Sequence, residues 1–164
     1  MDLPEKLVAW LQDAYAVEQH VQRTLQSYAA TVKDYPEISA GITGHIAQTQ
    51  RHSGRLEGCL KSLGRAHSEF ESIVAKFLSV GQAATTSFLK DAVLSGCAAA
   101  YTLEHLEVAT YRVIITTAEE ANLKDIAKSC RDNMTEDLHM ADWLLERLPG
   151  LTRRYLDQAS GYGG

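Results

Sequence analysis

The chain has 164 residues, enough for one domain that buries about two thirds of its unfolded surface without a disulfide or structural metal. It is 45% apolar and 23% charged with three prolines, an ordinary globular composition that is too poor in turn residues for a strand-rich fold. The net charge of −5, with 16 basic residues scattered among 21 acidic ones, excludes the clustered Lys and Arg of a nucleic-acid partner, and no window reaches the ~18 apolar residues of a membrane span.

The segment MDLPEKLVAW lacks the basic start and long apolar run of a secretory signal, which points to a cytoplasmic protein. Asp2 as cap, Pro4 in the first turn and Glu5 three residues after the cap predict a helix that runs to about Val32. Tyr35 and Pro36 break it, and a second helix is expected from about Pro36 to Leu63, where Gly64 supplies a stop. Ser68 to Glu71 reads as a capping box that opens a short helix, ending near Gly81 and crossing from one end of the molecule to the other.

A third long helix is predicted from about Thr86 to Ala118 and, after a turn at Glu120 to Asn122, a fourth from Leu123 to Leu148, ended by Pro149 and Gly150. The pattern is all-α, a ferritin-like four-helix bundle over residues 1–150 with a short crossover helix between helices two and three, followed by a frayed C-terminal tail at 151–164. Cys59, Cys97 and Cys130 are odd in number, far apart and free of CxxC spacing, so they read as small buried hydrophobes.

At 100° per residue each helix shows an apolar stripe, and a charged side chain at its centre is the informative exception. Glu18 falls in the middle of the first stripe, Leu7 to Val32. Glu104 and Glu107 flank the centre line of the third, Leu89 to Ala118, and Asp137 centres the fourth, Leu123 to Leu148. The second stripe, Ile38 to Leu63, holds no acid but contains His45, Thr49 and His52, with Gln48 at its edge.

Residues equally distant from a hairpin turn share a height, and Glu18 and His52 are each 17 residues from position 35. Glu104 and Asp137 match in the same way about a turn near 120 to 121. Four acids at one height in an apolar interior require either protons or a cation. Carboxylate oxygens with imidazole nitrogens suit iron or manganese, with zinc possible, so the expected metal ligands are Glu18, His45, His52, Glu104, Glu107 and Asp137.

Glu136 and His139 spell the Glu-x-x-His of di-iron helices, but they lie about 100° and about 160° from Asp137 on the wheel, so His139 is expected in solvent or at a subunit contact. His20 and His105 also fall on outer faces, whereas Tyr111, one turn after Glu107, is placed to bond a carboxylate or simply to pack.

Four stretches, LQDAYAVEQHVQRTL (11–25), HIAQTQRHSGRLE (45–57), LEHLEVATY (103–111) and MTEDLHMADWL (134–144), resemble the YciE/YciF-like branch of the ferritin-like superfamily, bacterial stress-associated proteins. The resemblance implies a four-helix fold, frequent homodimers and a di-metal centre. By position it puts the ligands on Glu18, the His45 to Thr49 stretch, Glu104, Glu107 and the Glu136–Asp137 pair. Two departures stand out: the family usually has an acid where this chain has Gln48, and Gln where this chain has His52.

The leading expectation is a metal-binding protein with a carboxylate-bridged iron or manganese pair and stress-related oxygen or peroxide chemistry, with no reaction or substrate assigned. A non-catalytic helical dimer with a structural polar layer is the alternative. An iron-storage cage subunit is a third reading.

Overall fold

The computed structural model describes residues 3–66 and 91–161. They form four helices, α1 (Leu3–Thr31), α2 (Pro36–Ser62), α3 (Ala92–Glu120) and α4 (Lys124–Ser160), with no strand among the described residues. The expected cap Asp2 and the expected crossover helix from Ser68 to Gly81 lie outside the described residues. So does Thr86, the expected start of the third helix. The described helix begins at Ala92, and its cap is Asp91, whose side chain accepts a hydrogen bond from the Leu94 amide at 2.6 Å.

Helix ends follow from local chemistry. After α2, Gly64 takes φ 69° and the amides of Gly64 and Arg65 bond back to the Lys61 and Leu60 carbonyls. After α3, Asn122 takes φ 57° and the amides of Asn122 and Leu123 bond back to Glu119 and Ala118. Both are left-handed caps that satisfy the carbonyls a helix end leaves open.

Each helix packs against two neighbours, α1 on α2 and α3, and α4 on α2 and α3, which makes a square bundle. The N-terminal half of α1 shares one apolar cluster with the C-terminal halves of α2 and α3 and the start of α4, including Leu11, Leu60, Ile114 and Cys130. The C-terminal half of α1 shares a second cluster with the starts of α2 and α3 and the far part of α4, including Leu25, Ile42, Cys97 and Leu144. Neighbouring helices are therefore antiparallel, and α2 ends at the opposite end of the bundle from the start of α3. The three cysteines are buried and free.

The fourth helix does not stop at Pro149 and Gly150 as the sequence suggested; it continues to Ser160. A proline inside a helix removes one hydrogen bond and costs about 3 kcal/mol. The carbonyl it leaves open belongs to Leu145, a residue 52% exposed, where water can satisfy it. Tertiary contacts hold the turns beyond. Leu151 is buried in the second cluster, Arg154 donates to the Asp34 carbonyl at 2.6 Å and stacks over Tyr35, and the Tyr35 hydroxyl donates to Gln158 at 2.6 Å. Among the described residues no helix is long and apolar enough to cross a membrane.

α1 and α3 approach closely where the buried Tyr28 ring covers Gly96. Its hydroxyl donates to the Val93 carbonyl at 2.9 Å, and a Cβ at Gly96 would lie 2.4 Å from the ring. Gly54, inside α2, has nothing within 4 Å of such a Cβ. Gly96→Ala is expected to cost about 1–3 kcal/mol through overpacking, and Gly54→Ala to gain about 0.5–1 kcal/mol by helix propensity. Urea unfolding of both variants checks the opposite signs.

Candidate metal centre

Between the two apolar clusters lies a polar layer. Glu18, His45, His52, Glu104, Glu107 and Asp137 are each at most 2% exposed and are joined by buried Thr49, Tyr111 and Asn133. Each helix contributes to it, because each carries its polar residues at the centre of the face that the two clusters bury.

His45 Nε2 lies 2.9 Å from Glu104 Oε2, and its Nδ1 lies 2.8 Å from Gln48 Oε1. His52 Nδ1 lies 3.2 Å from Glu18 Oε1 and 3.3 Å from Asp137 Oδ1, aligned for a hydrogen bond with neither. The two rings meet edge to face with centroids 6.2 Å apart. The Tyr111 hydroxyl donates to Glu18 Oε1 and accepts from Asn133 Nδ2 at 2.9 Å.

Six buried side-chain atoms among the described residues find no hydrogen-bond partner: Glu18 Oε2, His52 Nδ1, Glu104 Oε1, Glu107 Oε1 and both Asp137 oxygens. All belong to this layer. An orphaned buried polar atom costs roughly 1–3 kcal/mol, more when charged, so the six together form a donor set suited to a group that takes oxygen and nitrogen ligands. Ligand atoms of Glu18, His52 and Asp137 lie within 4.8 Å of one another, as do those of His45, Glu104 and Asp137. Asp137 is common to both triads. This donor set fits a divalent cation, and one or two ions could be held.

Electrostatics agree with that fit. Burial, then the charges of Glu18, Glu104 and Glu136, push Asp137 up to about 10. Burial and the neighbouring acids Glu18, Asp137 and Glu104 push Glu107 well above the carboxylate range. Burial also raises Glu104, against the opposing pull of His45. For His45 burial works downward, but the hydrogen bond and charge of Glu104 outweigh it and the net shift is upward. Burial thus favours the protonated forms of these acids, and a cation would displace the proton that Asp137 keeps in the metal-free chain.

The structure therefore gathers all six predicted residues. His139 is exposed and His105 packs edge to face on Tyr101, so neither faces the layer. Glu136 stands at the rim, its carboxylate 22% exposed, and still reaches His52 Nε2 with Oε2 at 3.2 Å. Arg55, half-buried at the edge of the α2 stripe, escaped the sequence reading because it carries no periodic signal, whereas Asn133, one turn before Asp137 on the same stripe and fully buried, could have been found by its spacing.

Residues 2–157 match the family described as a domain of unknown function, DUF892. The chain belongs to the DUF892 family. Over 133 residues it is 23% identical to Protein YciF of Escherichia coli (strain K12), covering 77% of this chain and 78% of that one. The crystal structure of that stress protein superposes with a TM-score of 0.79 at 18% identity, over 93% of this chain and 98% of the other. A Xanthomonas campestris pv. campestris protein is similar over 97% and 99% of the two chains, with a TM-score of 0.84 and 29% identity. A structure from Bacillus anthracis str. Ames, described as ferritin-like, diiron-carboxylate, has a TM-score of 0.73 at 16% identity, over 90% of this chain and 99% of that one. These likenesses establish the ferritin-like helical bundle, and the YciE/YciF-like resemblance read from the motifs holds for this DUF892 chain.

The raised acids set a pH dependence. Between the ordinary value of 3.8 and about 10, folded Asp137 keeps a proton that the unfolded chain has released, so unfolding gains ground as pH rises. His45, raised from 6.5, loses its stabilising charge in the same direction. The chelated DUF892 chain is expected to be more stable at pH 5 than at pH 8, by up to about 1.4 kcal/mol per pH unit for each retained proton. Urea unfolding at the two pH values measures it; a flat or rising trend would contradict the protonated layer.

Proposed function

We propose that this chain is a ferritin-like metal-binding protein whose buried layer holds one or two ions of iron or manganese, with zinc possible. The ligands in this reading are Glu18, His45, His52, Glu104, Glu107 and Asp137. The observation that carries it is that every orphaned buried atom among the described residues belongs to this ligand set, five of the six to two triads that share Asp137 and the sixth to Glu107.

An iron or manganese pair supplies electron exchange with oxygen or peroxide when bound. The chain's own residues do the holding. Asp137, with both oxygens unpaired and a place in both triads, would help hold either one ion or two. Tyr111 donates to one Glu18 oxygen and leaves the other unpaired. Gln48 is a neutral amide where the family usually has an acid, and it bonds His45, so the layer carries less charge for a second cation. His52 offers nitrogen where the family usually has Gln. A stress-related role and a homodimer belong to the same reading and rest on the resemblance, and cytoplasmic residence is proposed with them.

The alternative is a non-catalytic helical dimer whose polar layer is a hydrogen-bonded remnant that fixes helix register, and it predicts tight folding with no metal. Anaerobic titration with Fe(II), Mn(II) and Zn(II), followed by metal analysis and thermal unfolding, separates the two. The parent is expected to take up metal and to gain about 2.7 kcal/mol at a hundredfold excess over Kd. Glu104→Ala with Asp137→Ala is expected to abolish uptake while leaving a folded chain that destabilises less steeply with rising pH, the remaining dependence coming from buried Glu107. A parent that takes up none of these ions, or a double variant that binds as the parent does, refutes the proposal.

A further inference from the structure

Arg55 lies on α2 one turn after His52, with its side chain 31% exposed. Its guanidinium forks. One arm, Nη2, donates to Glu136 Oε1 at 2.9 Å, and the other oxygen of that carboxylate lies 3.2 Å from His52 Nε2. The second arm, Nη1, donates to Asn133 Oδ1 at 2.8 Å. The Asn133 amide then donates to the Tyr111 hydroxyl at 2.9 Å, and that hydroxyl donates to Glu18. Both chains start at one side chain and end in the Glu18, His52 and Asp137 triad.

This convergence depends on helical spacing. Asn133 and Glu136 are three residues apart on α4, so their side chains stack on one face within reach of a single planar fork. Asn133 is 0% exposed, and its donation to Tyr111 leaves Oδ1 turned toward Arg55. Arg51 also approaches Glu136 Oε2, but at 3.6 Å and from a 56% exposed side chain.

We propose that Arg55 is a positioning residue for this triad. Through Glu136 it fixes the His52 ring with Nε2 outward and Nδ1 toward Glu18 and Asp137, and through Asn133 and Tyr111 it fixes which Glu18 oxygen stays free. A ligating histidine usually gives its other ring N–H to a carboxylate, which sets ring orientation and donor strength. Glu136, demoted as a ligand by its place on the helix wheel, has that role here. Only the purpose of the triad rests on the metal-binding reading; ring orientation belongs to the metal-free chain.

The experiment is ¹⁵N imidazole NMR of the full, metal-free chain, followed by Co(II) titration read in the visible spectrum. The parent and Arg51→Ala should both show a slowly exchanging Nε2–H on His52. Arg55→Ala should lose that slow exchange. In Glu136→Gln, Arg55 holds the new amide oxygen and turns the NH2 toward His52, so Nε2 should give up its proton and accept instead. That variant removes no volume, so it remains readable if Arg55→Ala fails to fold.

Against Co(II), Arg55→Ala and Glu136→Gln should weaken one position about 10- to 100-fold. Arg55→Lys should recover part of that loss, because an ammonium cannot fork. If both variants keep the parent's slow Nε2–H and Co(II) affinity, the proposal is overturned. A parent with the slow proton, variants without it and no Co(II) uptake by any of them would sink the metal-binding reading and uphold the positioning role.

Discussion

The structure depends on the presence of four carboxylates at one height inside a helical bundle. Buried carboxylates pay several kcal/mol each for lost hydration, and at this spacing they repel one another as well. Everything around Glu18, Glu104, Glu107 and Asp137 answers that cost in part. Tyr111 donates to one oxygen, His45 bonds Glu104, and burial and mutual repulsion push Glu104, Glu107 and Asp137 toward their protonated forms. The answer is incomplete, because six atoms remain unpaired.

The same layer divides the core into two apolar clusters. Those clusters align the helices, and the helices in turn fix the layer. The support extends outward: Gln48 holds His45, Glu136 faces His52, and Arg55 ties Glu136 to Asn133. A fully buried arrangement is thus connected to the surface through partly exposed Gln48, Glu136 and Arg55.

Much of this is legible in the sequence, for a definite reason. Helical periodicity reports which way a side chain leaves the axis, so an acid at the centre of an apolar stripe must point inward, as Glu18 and Asp137 do. Counting from the turns set the heights, and the 3.2 Å approach of Glu18 to His52 follows from that count. Periodicity does not report reach. Glu136 leaves α4 sideways, yet its length and the pull of Arg55 carry the carboxylate to His52. Nor does it report what a distant segment supplies: Pro149 reads as a helix stop, and the contacts of Arg154 and Tyr35 that override it are invisible one residue at a time.

That overriding has a mechanical result. At 37 residues α4 is about 55 Å long, whereas the 29 residues of α1 span about 43 Å. The surplus turns fasten the α1–α2 corner through Asp34 and Tyr35. Moving the glutamate one position along α1 would shift it by about 1.5 Å along the axis and turn it by about 100° away from His52. The overhang thus acts as a lock on a vernier. A helix end that touches none of the six residues braces the turn from which the heights of Glu18 and His52 are both measured.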